Sequence, residues 1–65
     1  MTTDESIAFI TEHDFSFQLE IDADGVTGDL QDSTNSLYVL ECGKPRKLSV
    51  ILKEMVAKVK ELRRL

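Results

Sequence analysis

The first 43 residues contain no lysine and no arginine. They hold ten carboxylates and a formal charge of −10, whereas residues 44–65 hold all eight basic residues and two carboxylates, or +6. Together the two segments give the net −4 of the whole chain. A segment without a cation cannot neutralise itself, so its carboxylates must face water, the other half of the chain or a basic partner. Cysteine is nearly absent too. Cys42 stands alone, which excludes an internal disulfide and leaves no second thiol at metal-ligand spacing. A lone thiol suits a reducing compartment. No apolar run approaches the roughly 20 residues of a membrane-spanning helix. The acidic opening Met1-Thr2-Thr3-Asp4-Glu5 lacks the basic region of a secretory signal. A cytoplasmic location, without membrane contact, is the expectation.

A chain of 65 residues has room for one domain. Domains of this size bury only about 60% of the surface of the unfolded chain, so burial against a second copy or a partner is a common supplement. With 42% hydrophobic and 31% charged residues the composition is that of a folded protein rather than a disordered one.

Thr3 followed by Asp4, Glu5 and Ser6 reads as a capped helix start, with carboxylates where the helix dipole favours them. Ile7, Phe9, Ile10 and His13 supply a modest apolar face, and the spacing predicts a helix over residues 3–13. From Phe15 the period becomes two: Phe15, Phe17, Leu19 and Ile21 alternate with Ser16, Gln18, Glu20 and Asp22, predicting a strand over 15–22 with one buried face. Asp24-Gly25 suits a tight hairpin turn. Val26, Gly28 and Leu30 then share one face of a returning strand over 26–31. The polar cluster Asp32-Ser33-Thr34-Asn35 reads as the next turn. A third strand is predicted over 36–42, where Tyr38-Val39-Leu40 is apolar on both faces and suggests a central or doubly covered position. Gly43 and Pro45 are read as its end.

The rest reads as one helix over 46–64. Leu48, Leu52, Met55, Val59 and Leu62 recur at spacings of four and three, and Ile51 and Val56 widen the stripe to about 140°. Pro45 fits a first helical turn, Glu54 and Lys58 an i,i+4 ion pair, and Arg63-Arg64 the cation-favouring end. The predicted fold is therefore α+β, a two-layer αβββα domain with a three-stranded antiparallel meander covered by a long C-terminal helix. The same seam has coiled-coil spacing and could pair with its counterpart in a homodimer.

Two sets of charged residues are candidate binding sites. On a helical wheel Arg46, Lys53, Lys60 and Arg64 fall within about 40° of one another beside the apolar stripe. Lys44, Arg46 and Lys47 bracket Pro45 at the expected helix start, where free amides add positive potential, a plausible site for phosphate or carboxylate. In element order, with Lys44, Arg46 and Lys47 ahead of the last helix, the chain resembles the double-stranded-RNA-binding domain, a family that grips phosphates with lysines at that position. The resemblance implies nucleic-acid binding through these residues. The short first helix and the −10 of residues 1–43 depart from that family. The second set, Glu20, Asp22, Asp24, Asp29, Asp32 and Glu41, is expected on the outer face and turns of the sheet, a display suited to a basic protein surface, or to solubility and edge protection alone.

No residue pattern points to catalysis, a metal or a cofactor. Glu20, Asp22, Asp24 and Gly25 match part of a calcium loop, but Gln31 stands where a bidentate Glu is required, so a hairpin explains them better. No motif sets a nucleophile near His13. Cys42 precedes basic residues that would lower a thiol pKa, yet a buried, inert cysteine is the simpler reading. The expectation is a non-enzymatic protein-binding module, such as the small regulators or inhibitors carried by phages and mobile elements. Its alternatives are a nucleic-acid- or phosphate-binding module using the basic residues, and a homo-oligomer formed by opposite-charge pairing.

Overall fold

A computed structural model describes residues 1–65. The order is α1 (Thr3–Glu12), β1 (Phe15–Asp22), β2 (Gly25–Asp32), β3 (Leu37–Arg46) and α2 (Leu48–Arg63). The strands form one open antiparallel sheet in the order β1-β2-β3, and both helices lie on the same side of it: an α+β meander closed by a C-terminal helix.

Helix α1 begins at Thr3, as its sequence suggests, but its cap lies one residue earlier. Thr2, not Thr3, is the N-cap: its hydroxyl accepts from the Glu5 amide and the Glu5 carboxylate accepts from the Thr2 amide. This reciprocal capping satisfies two amides that would otherwise lack partners. His13 closes the helix with its ring against Phe9 (centroids 4.3 Å apart) and its Nδ1 2.7 Å from the Phe9 carbonyl, to which it donates. Asp14 takes a positive φ of 62° and turns the chain into β1.

The period-two pattern of β1 becomes one covered face. Phe17, Leu30 and Leu40 form one cross-strand row, and Leu19, Gly28 and Cys42 the next, all facing the helices. The core joins Ile10 and Phe15 to Val26, Leu30 and Cys42, and to Ile51, Leu52, Met55, Val56 and Val59 of α2. Gly28 is required by close approach: a Cβ there would lie 2.7 Å from the Gln18 carbonyl oxygen and 3.1 Å from Met55 Cε. Met55 sits over the bare glycine backbone. The first hairpin turns on Ala23 and Asp24, with the Asp22 carboxylate accepting from the Asp24 amide. Gly25, at φ 134°, is already the first residue of β2.

Three expectations need correction. β3 is an edge strand rather than a central one: Tyr38 points to the outer face, Leu40 to the helices, and Val39 stands at a register shift between them. Gly43 and Pro45 do not end β3, which continues to Arg46. There Gly43, Lys44 and Pro45 lie between Cys42 and Arg46, opposite Thr27 alone. An irregular edge is where a strand tolerates a residue without an N–H. Consequently α2 begins at Leu48 with Lys47 as N-cap, so Pro45 is no helical residue. Its 16 residues, at about 1.5 Å each, span about 24 Å.

Candidate functional site: an anionic sheet face opposite a basic helix layer

Residues that alternate with the core positions form the second face of the sheet, and no element covers it. Ser16, Gln31 and Tyr38 form one cross-strand row, Gln18, Asp29 and Glu41 the next, and Glu20 lies opposite Thr27. Asp22 and Asp24 continue the face into the exposed hairpin turn. Asp29 and Glu41 are direct cross-strand partners, an arrangement of like charges that costs a sheet up to about 1 kcal/mol. None of Glu20, Asp22, Asp24, Asp29 and Glu41 takes part in an ion pair. Five of the six expected acidic residues thus share one uncovered region.

Asp32 is the exception. It faces the helix layer, where it is buried, and its Oδ1 accepts from both the hydroxyl (2.7 Å) and the amide (3.0 Å) of Thr34. Arg63 approaches the same oxygen at 3.6 Å. The Thr34 bonds, with a smaller part from Arg63, hold the Asp32 carboxyl below its ordinary 3.8. Arg63 also donates to the His13 carbonyl and lies 4.3 Å above the Phe15 ring. One guanidinium therefore ties the end of α2 to the α1–β1 junction and to the second hairpin. No local pattern in the sequence encodes the contact of Arg63 with His13, which joins residues 50 positions apart.

The six expected basic residues divide among four places. Lys44 and Arg46 lie on β3, so Arg46 is not the helical residue expected, and it is held by Glu54 of α2. Glu54 also accepts from the Cys42 thiol, so its expected pairing with Lys58 gives way, and Lys58 meets Glu61 instead. Burial and the adjacent Glu54 push the Cys42 thiol up to about 11, opposite to the lowering that nearby cations would produce. Lys47 caps α2 without a side-chain bond. Lys53 and Lys60 flank an open groove of about 570 Å³ between the helices, lined also by Met1, Thr3, Val50 and Val56. Lys60 leans over the Phe9 ring, 5.8 Å from its centroid. Arg64 is the C-cap, in the left-handed conformation at φ 58°. The stripe of Arg46, Lys53, Lys60 and Arg64 therefore does not form on one helix face, because its first and last members lie outside the helix.

Of the seam on α2, Leu52, Met55 and Val59 are buried in the protein's own core and Leu48 is half-buried beside it. Leu62 is 41% exposed. Three of its five members are thus already used against the sheet and α1.

No family model, curated protein or solved structure matches the chain.

Proposed function

We propose that the chain is a small, non-enzymatic protein-binding module whose open sheet face docks on a basic protein surface. The observation that carries this reading is the Asp29–Glu41 pair, two carboxylates set directly opposite each other on an uncovered face with no cation of the chain to answer them. Folding gains nothing from that pairing. A cationic partner relieves it, and electrostatic complementarity of this kind speeds and orders association. The lone, buried thiol accords with action in a reducing compartment such as the cytoplasm.

The test is affinity capture of a basic partner by the native chain and by a charge-reversed chain carrying Asp22→Lys, Asp24→Lys and Glu41→Lys. A discrete partner that is retained by the native protein, elutes as salt rises, and is lost on reversal supports the reading. Equal retention by both chains removes the acidic face from it. Two other outcomes select different functions. A shift of DNA or RNA at about 50 mM salt points to nucleic-acid binding through Lys44, Lys47, Lys53 and Lys60. Self-association that weakens with salt points to pairing between the anionic sheet face of one copy and the basic helix layer of another.

A further inference from the structure

The two edges of the sheet are built differently. β3 has two register shifts, a lysine and the chain's only proline, devices that stop another strand from adding. β1 has none of them. Its ladder with β2 runs unbroken from Phe15–Asp32 to Asp22–Gly25, and no strand borders its far side. Eight regular residues at about 3.3 Å each present an edge of about 26 Å. Along that edge Ser16, Gln18, Glu20 and Asp22 point to the anionic face, while Phe17 and Leu19 are only half-buried on the helix side. Ile21, on that same side, is 70% exposed.

We propose that the free edge of β1 is a strand-addition site for a partner segment that alternates cationic and apolar side chains. Its backbone continues the sheet, its cations lie beside Glu20 and Asp22, and its apolar side chains cover Leu19 and Ile21. This rests on the protein-binding reading above and specifies the partner's chemistry. Main-chain bonds supply affinity and the alternation supplies selectivity. A second copy of the chain is a poor occupant, because two β1 edges side by side would join two anionic faces into one. The carboxylates that repel a second copy attract a cationic strand.

The probe is the capped peptide Lys-Val-Lys-Val-Lys-Val-Lys, titrated into the native chain and followed by fluorescence anisotropy and by amide exchange. Its control has the same side chains with every backbone amide N-methylated, so charge is kept and strand bonding is lost. The native chain should bind the plain peptide about tenfold or more tightly than the methylated one, with new amide protection in β1 and none in β3. Ile21→Glu, at an exposed position, should melt close to the native chain and should weaken plain-peptide binding although it adds a negative charge. Equal binding of both peptides, tighter binding by Ile21→Glu, or protection gained in β3 overturns strand addition at β1 while leaving the acidic face as a docking surface. Failure of both peptides to bind overturns the acidic-face reading as well. Concentration-dependent dimerisation through β1 without peptide overturns the choice of occupant.

Discussion

Phe17, Leu19, Leu30 and Leu40 on one side of the sheet, and Gln18, Glu20, Asp29 and Glu41 on the other, come from the same three strands, one residue apart. The first group meets Met55, Ile51 and their neighbours on α2. The second meets no other element. On the covered side free energy comes from area removed from water, at about 25 cal/mol per Å², and depends on shape. The open side retains an unfavourable charge pair that a stability-driven sequence would replace. Stability therefore resides on one face of the sheet and the unspent electrostatic free energy on the other. Each can be altered separately.

The covered side should respond most strongly. Met55 is fully buried over Gly28, and Met55→Ala leaves a cavity that the glycine backbone cannot fill. The expected loss is about 2–5 kcal/mol. Domains of this size are stable by only about 3–10 kcal/mol at typical per-residue values, so the loss is a large share of the total and the unfolding midpoint should fall markedly. Urea unfolding followed by circular dichroism measures it. A loss below about 1 kcal/mol would mean that α2 is not seated on the sheet as described.

The fold was legible wherever one rhythm ran without interruption. The alternation from Phe15 to Asp22 and the three-four spacing from Leu48 to Val59 each marked an element, and each marked the face that is buried. It was misread where a local breaker met a tertiary exception. Gly43 and Pro45 carry strong stop signals, yet an edge strand with a two-residue register shift accommodates both. The longer strand places Lys44, expected just ahead of the helix, and Arg46, expected in its first turn, on β3, and dissolves the expected basic stripe. The acidic set was better preserved, because Glu20, Asp22, Asp29 and Glu41 are fixed by strand parity, which a shift of two residues leaves unchanged. Asp32 kept the parity of the core residues and is buried accordingly. The links through Glu54 and Arg63 join residues distant in sequence, and no local pattern encodes them.

Asp32, the one member of the acidic set on the covered side, gives a smaller, pH-dependent effect. Its carboxyl lies below 3.8 in the folded protein, chiefly through the Thr34 bonds, so the stabilisation it provides is complete above 3.8 and is lost as pH falls through the lower folded value. Asp32→Asn should lower the melting temperature at neutral pH, and the gap from the native chain should close on acidification below 3.8. Thermal melts across that range test the sign. Glu5, held below its ordinary 4.5 by the Thr2 bonds, accounts for acid sensitivity that persists in the variant. A gap that stays constant with pH would assign the loss to packing around Asp32 rather than to its charge.

The smallest effect on stability is expected on the open face, and it carries the most information. Glu41→Lys turns the like-charged pair with Asp29 into an opposite-charged one at an exposed position, so no core contact changes. Cross-strand pairs of opposite charge favour a sheet by about 0.2–1 kcal/mol, and the repulsion removed is of similar size. The variant should therefore melt at a slightly higher temperature than the native chain, and the gain should shrink as salt screens it. A basic partner should bind the same variant more weakly. Opposite changes in stability and binding from one substitution are the signature of a face whose charges serve association. If Glu41→Lys instead destabilised the chain, the carboxylates would have a folding role, and the open face would lose its claim to be the binding surface.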